Sequence, residues 1–131
     1  MTKKYNSTGS CVYNINYHII WSTKYRKHLL SDNIQIELKK ILFEQSTKLN
    51  IVIKAMEIMP DHIHIFISCM PICLVTNIVK QMKGYTSYIL RKKFSELTKY
   101  KSQWTPAYFC ESVGYINEKT IIKYIENQKI K

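Results

Sequence analysis

His62-Ile63-His64 sets two imidazoles at i and i+2 in a stretch whose isoleucines, Ile63, Ile65 and Ile67, alternate as in a strand. Successive strand side chains point to opposite faces, so both imidazoles project together while the isoleucines face the other way. Two imidazoles held side by side suit a divalent transition metal. The same spacing also occurs on ordinary exposed strands, so the pair alone does not decide. Further ligands are few. The chain has two aspartates, Asp32 and Asp61, and seven scattered glutamates, too sparse for a two-metal nuclease built on clustered carboxylates. A histidine-triad hydrolase would need histidine at position 66, which is Phe66. A second constellation is Tyr124 with Gln128, one helical turn apart and flanking an apolar face made by Ile121 and Ile125. Were that helix to cover an open sheet face, Gln128 could lend a carbonyl oxygen to a metal with Tyr124 beside it. The chain holds ten tyrosines, and spacing alone singles out none.

The elements that must position these groups follow from periodicity. Residues 11–21 alternate, with Cys11, Tyr13, Ile15, Tyr17, Ile19 and Trp21 on the side expected to face a core and Val12, Asn14, Asn16, His18 and Ile20 opposite. A basic turn at 23–27 follows. Ser31 is a candidate cap for a helix with Ile34, Leu38, Ile41, Leu42 and Leu49 on its apolar stripe, and Gln45 as a polar interruption. Residues 51–59 and 62–69 read as strands joined by the tight Met59-Pro60-Asp61 connection. Thr76 is a candidate cap for a second helix, buried along Val75, Val79, Met82, Ile89 and Leu90 and weakened by Gly84, by about 1 kcal/mol relative to alanine. A polar segment, 95–106, leads to a fourth strand at 107–113. Gly114 ends it, and Asn117 can cap a last helix from 118 to about 129. This order predicts an α+β, ferredoxin-like β-α-β-β-α-β antiparallel sheet with two helices on one face, plus a C-terminal helix. One domain spans 1–131, with the sheet core at about 11–113 and the last helix at about 117–129. The uncovered sheet face is a natural binding platform.

Composition narrows the function. Apolar residues make up 46% of the 131-residue chain, enough for one globular domain with a core. Twenty Lys and Arg against nine Asp and Glu leave a charge of +11, which favours polyanions such as a phosphate backbone. The longest apolar stretch is too short and interrupted to span a bilayer, and the N-terminus reads as polar, so a cytoplasmic protein without membrane partner is expected. The four cysteines (Cys11, Cys69, Cys73, Cys110) lack paired CxxC spacing and are expected to be reduced and mostly buried. No GxxxxGK[ST] loop is present, and no nucleotide cofactor is expected.

Taken together the motifs resemble the one-tyrosine HUH transposases of the insertion-sequence-200/605 family. The resemblance rests on His62-Ile63-His64 after Met59-Pro60-Asp61, on Tyr17-His18-Ile19-Ile20-Trp21 with Thr23-Lys24-Tyr25-Arg26, and on Lys83-Gly84-Tyr85-Thr86-Ser87. It continues through Trp104-Thr105-Pro106-Ala107-Tyr108-Phe109, Glu111-Ser112-Val113-Gly114 and Tyr124-Ile125-Glu126-Asn127-Gln128, covering about residues 11–128 in the family's order. It implies that His62, His64 and Gln128 hold one divalent ion, Mg²⁺ or Mn²⁺, and that Tyr124 is the nucleophile. It further implies single-stranded DNA with hairpin-bearing element ends as substrate, a homodimer, and Gly114 as a hinge for the tyrosine helix. Relatives often continue further beyond the position of Gln128, after which three residues remain here.

The implied chemistry is transesterification through a 5′-phosphotyrosine bond, which conserves the phosphoester energy and needs no ATP. A phenol of pKa about 10 is a poor nucleophile at neutral pH, and a metal-polarised phosphate would compensate. Lys24, Arg26, Lys80, Lys83, Arg91 and Lys92 are candidate DNA-backbone contacts, each equally readable as a solvated surface charge. His18 is a candidate second-layer or DNA-contacting group, or a satisfied structural histidine. Two other readings stay open: a ferredoxin-like module that binds single-stranded DNA or RNA without cutting it, and a domesticated relative acting on host repeat sequences.

Overall fold

The structure is a computed structural model, and it describes residues 5–128. Four strands form an antiparallel sheet in the order β4-β5-β3-β6: β3 (Asn16–Ser22), β4 (Val52–Met59), β5 (His62–Ser68) and β6 (Phe109–Ser112). Helix α1 (Asp32–Lys48) joins β3 to β4, α2 (Val75–Lys93) joins β5 to β6, and α3 (Glu118–Glu126) closes the described chain. The expected β-α-β-β-α-β order and the C-terminal helix are both present. Position 129, the expected end of that helix, lies outside the described residues. Among the described residues no helix is long and apolar enough to cross a membrane.

Side-chain parity divides the sheet. Ile19 and Trp21 of β3 pair with Ile65 and Ile63 of β5, and all four are buried in one core with Ile34, Leu38, Ile41 and Leu42 of α1 and Val79, Met82 and Leu90 of α2. The opposite face carries His18, His64 and Phe66, and α3 covers part of it through Ile125, which packs with Ala55, Phe66 and Val113. A nine-residue helix is marginal alone. Burying Ile125, worth about 1.5–3 kcal/mol, is therefore central to where α3 sits.

Several elements depart from the sequence pattern for identifiable reasons. The run expected at 11–21 is two strands. Val12–Tyr13 (β2) pairs with Asn6–Ser7 (β1) in a separate ribbon turned through Gly9 at φ 95°, so Cys11 and Val12 are exposed and only the later residues join the sheet. Strand β4 carries a bulge at Lys54, between Ile53, paired with Ile67, and Ala55, paired with Phe66. The extra residue reverses parity, so Ile53 packs toward α1 and α2 while Ala55 faces α3. Lys54 itself forms an ion pair with Glu118, tying the bulge to the first turn of α3. The Gln45 interruption is explained: its buried amide donates to the Gln81 carbonyl (2.9 Å), linking α1 to α2.

The caps differ too. Helix α2 starts one residue before Thr76, with Leu74 at its boundary, and Thr76 instead shares a hydrogen bond with the Tyr108 hydroxyl (3.2 Å). The buried stripe of α2 includes Ile78 and Thr86, whereas Val75 and Ile89 are half-buried. Neither Ser31 nor Asn117 makes a side-chain cap bond. The cysteine expectation is corrected. A turn in which the Cys73 amide donates to the Met70 carbonyl (3.0 Å) brings the Cα atoms of Cys69 and Cys73 to 6.3 Å, and they form a disulfide. Of the four, Cys69 is buried, Cys11 is exposed, and Cys73 and Cys110 are half-buried.

Candidate functional site

The face opposite the isoleucine core gathers the groups that can do chemistry. His62 and His64 leave β5 on the same side, their ring centroids 5.0 Å apart. Register places Ile20 opposite His64 and His18 opposite Phe66, so His18 lies diagonal to His64 across the β3–β5 ladder, with its Nε2 3.2 Å from His64 Nδ1. On the other flank of β3, Glu111 of β6 pairs with His18, and Glu111 Oε1 lies 3.1 Å from His18 Nδ1.

A carboxylate only accepts, so His18 donates from Nδ1 to Glu111. A neutral His18 must then accept at Nε2 from His64 Nδ1–H, which leaves the lone pair of His64 on Nε2. His62 is held in the same sense: its Nδ1 lies 2.6 Å from Asp61 Oδ1, while Arg26 Nε donates to Asp61 Oδ2 (3.1 Å). His62 and His64 thus each have one nitrogen tied to a partner and the other available as a ligand, the usual manner in which outer groups orient metal-binding histidines. Burial would raise the Asp61 carboxyl, but hydrogen bonds from His62 and Arg26 hold it below the ordinary carboxylate value.

Burial, with neighbouring His62 and His18 adding to it, pushes the His64 pKa down to about 4. His64 is therefore neutral at pH 7, the form that can bind a metal. Between pH 6.5 and about 4 the unfolded chain takes up a proton at His64 that the metal-free folded protein resists, so stability rises with pH across that window and is lost on acidification. Urea unfolding of metal-free protein should show a loss on the order of 3 kcal/mol from pH 7 to pH 4, and His64→Gln should flatten that slope. An unchanged slope in the variant would place the titrating group elsewhere.

Tyr124 stands over this cluster. Its ring centroid is 5.7 Å from that of His64 and 6.3 Å from that of His18, both edge-on, and the side chain is 48% exposed. The placement comes from α3, whose Ile125 is sunk beside Phe66. Gln128 follows one turn on, its amide nitrogen donating to the Tyr124 carbonyl (3.2 Å), so its own side chain folds back on the tyrosine's backbone. Among the described residues no group of three or more His, Cys, Asp or Glu side chains forms a metal-binding cluster.

A cavity of about 480 Å³ opens beside the imidazoles, walled by Arg26, His62, His64, Thr105, Tyr108 and Phe109. Its loop wall is stapled to α2. Trp104 Nε1 donates to Thr86 Oγ1 (3.2 Å), which itself donates to the Met82 carbonyl (2.6 Å). Lys83 Nζ donates to the carbonyls of Thr105 (2.5 Å) and Pro106 (3.2 Å), and burial lowers its pKa. The Lys83 ammonium is thus occupied inside the protein. Replacing it with methionine should cost about 1–3 kcal/mol in urea unfolding and open the 105–107 loop to proteolysis; a variant matching the wild type in both would deny this anchoring.

The six candidate DNA contacts do not converge. Arg91 is engaged with the carbonyls of Leu97 and Tyr100, as Lys83 is with its loop. Lys80 and Lys92 are exposed on α2, in the helix layer opposite the imidazoles. Only Arg26 borders the histidine cavity, and Lys24 lies one turn away beside a second cavity. His18 is buried with both nitrogens engaged. The sequence pattern did not reveal Glu111 as its partner, because the pairing depends on the register between β3 and β6. The Asn14–Asn16 pair also finds a role: buried Asn16 Nδ2 donates to Asn14 Oδ1 (3.0 Å) and the Val113 carbonyl (3.3 Å), fixing the chain just before Gly114. Gly114, at φ −78° with space for a Cβ, is in a conformation any residue can adopt.

The antiparallel sheet thus carries paired imidazoles on one face with a tyrosine-bearing helix laid over them. The chain belongs to the IS200-like transposase family, whose model matches residues 11–128. It is 32% identical over 123 residues to the ISDra2 transposase TnpA of Deinococcus radiodurans, covering 89% of this chain and 86% of that protein. It is 29% identical over 119 residues to the transposase for insertion sequence element IS200 of Salmonella typhimurium, covering 88% and 78%. Among solved structures, a transposase from Deinococcus radiodurans superposes with a TM-score of 0.79 at 32% identity, over 94% of this chain and 97% of that one. A REP-associated tyrosine transposase bound to a REP hairpin shares the fold, with a TM-score of 0.63 at 14% identity over 95% and 73%.

Proposed function

We propose that this transposase cleaves and rejoins single-stranded DNA at the ends of an insertion sequence, with Tyr124 as nucleophile. The observation that carries the reading is the Tyr124 ring beside His64, on the sheet face where both imidazoles offer a free nitrogen. The Tyr124 phenol releases its proton to solvent as its Oη attacks the scissile phosphorus. The bond to the 3′-oxygen breaks, the departing strand keeps a 3′-hydroxyl with a proton taken up there, and a 5′-phosphotyrosine ester remains. Attack by a second strand's 3′-hydroxyl reverses these changes and restores a continuous backbone, so no net hydrolysis occurs.

The residues fit a divalent cation. His62 and His64 would hold it through their free nitrogens and Gln128 would add its amide oxygen, a mixed nitrogen–oxygen set that suits Mn²⁺ better than the oxygen-preferring Mg²⁺. Such an ion, when bound, polarises a phosphate oxygen and offsets charge developing in the transition state. Arg26 at the cavity rim would meet the backbone phosphates. Hairpin-bearing element ends and a homodimer, both implied by the family resemblance, complete the proposed reaction.

The test is incubation with labelled single-stranded element-end DNA, with and without Mn²⁺. The expected result is a protein–DNA adduct that survives denaturing electrophoresis and forms only with the ion. Binding without any adduct would favour the non-catalytic module.

A further inference from the structure

A second cavity, of about 440 Å³, shares no wall residue with the histidine cavity and has no part in the chemistry above. Its walls are Lys24, Tyr25, Lys27, Tyr100, Lys101 and Leu29, with Ser102 at the rim. Two tyrosine rings and three ammonium groups face a space of nucleotide size. Among the described residues none of the three lysines forms an ion pair. Instead Lys24 stands 5.3 Å from the Tyr25 ring and Lys27 4.7 Å from the Tyr100 ring.

The backbone presents Tyr25 deliberately. Tyr25 and Arg26 are consecutive left-handed residues, at φ 57° and 54°, a conformation costing a non-glycine residue roughly 1–2 kcal/mol in other surroundings. The turn is held in place: Thr23 Oγ1 donates to the Lys27 carbonyl (2.6 Å), Lys24 N–H donates to the Gln103 carbonyl (2.9 Å), and Arg26 pairs with Asp61. As a result the Tyr25 side chain is 81% exposed while the next residue, Arg26, points to the histidine cavity. Both cavities draw wall residues from the stretches 24–29 and 100–109, with Tyr25 lining one and Arg26, the next residue, lining the other.

We propose that this cavity is a subsite for one unpaired nucleobase of the DNA strand that enters the histidine cavity. The base stacks on Tyr25 and Tyr100, and Lys24, Lys27 and Lys101 meet the flanking phosphates. The inference rests on the single-strand reading above. Stacking on an aromatic face tolerates any base and typically strengthens single-strand binding by about tenfold per base, so the subsite anchors the strand without demanding a sequence.

The test uses two fluorescein-labelled probes, an oligothymidylate of about 20 nucleotides and an abasic strand of equal length, titrated by fluorescence anisotropy. Tyr25→Ala with Tyr100→Ala should weaken oligothymidylate binding about tenfold or more and leave the abasic strand unaffected, while Tyr25→Phe with Tyr100→Phe should bind both as the wild type does. Changing Lys24, Lys27 and Lys101 together to Gln should flatten the salt dependence of log K by about 0.7 for each phosphate no longer neutralised. Equal loss on both probes, or no loss in the alanine variant while the wild type binds oligothymidylate, overturns the subsite and leaves the transposase reading standing. Failure of the wild type to bind any single strand overturns both. Circular dichroism of each variant separates these outcomes from unfolding, in which case the phenylalanine pair alone decides by whether it keeps the preference for bases.

Discussion

Tyr124→Phe should bind single-stranded DNA within about twofold of the wild type and form no covalent adduct, with cleavage reduced by roughly 10³-fold or more. The substitution removes one oxygen and little else. The Phe ring keeps its edge-on approach to His64 and His18, and the helix keeps its anchor, because Ile125 rather than Tyr124 is the residue sunk into the sheet. A half-exposed side chain contributes little to stability through its hydroxyl, so the thermal midpoint should move by no more than about 2 °C. Denaturing electrophoresis reads the adduct, and anisotropy reads binding. An adduct that persists with phenylalanine at this position would transfer the nucleophile to another tyrosine, with Tyr108 the first to test because it walls the histidine cavity.

Much of this arrangement was legible in the residues. The alternation of Ile63, Ile65 and Ile67 against His62 and His64 is a period-two signal, and the structure divides them between faces accordingly. The helical spacing of Ile121 and Ile125 likewise placed Tyr124 at the edge of a buried stripe. What the pattern could not give was register. That His18 meets Glu111 depends on the pairing of strands 93 residues apart, and no local periodicity carries it. The bulge at Lys54 was hidden for a related reason: one inserted residue exchanges the faces of a strand, and a run such as Val52-Ile53-Lys54-Ala55-Met56 is apolar on both sides of the change. The six basic residues were chosen by charge, which says nothing of whether a cationic head group has carbonyls within reach. Lys83 and Arg91 do. The cysteine expectation failed because it weighed spacing motifs and compartment, whereas the turn at 70–73 sets the distance between the thiols.

His64→Ala should abolish metal-dependent cleavage and weaken Mn²⁺ binding by roughly 100-fold or more, beyond the roughly 10–100-fold typical of losing an outer partner. His64 stands between two demands. Burial keeps it neutral, and the Glu111–His18 chain occupies its Nδ1, so its Nε2 is the one nitrogen left to face the Tyr124 side of the sheet. Alanine removes the ligand and also strips His18 Nε2 of its partner inside a buried site, at a cost of about 1–3 kcal/mol. Calorimetric titration with Mn²⁺, beside a urea melt, distinguishes the two effects. Glu111→Gln provides the graded comparison: it leaves both ligating imidazoles in place, and because the new side-chain amide oxygen can still accept from His18 Nδ1, metal affinity should fall by no more than about tenfold. If His64→Ala binds Mn²⁺ as tightly as the wild type while remaining folded, the ion sits elsewhere and the paired imidazoles serve another purpose. If Glu111→Gln instead matches His64→Ala in its loss of affinity, the carboxylate charge, transmitted through His18, is what makes His64 a ligand.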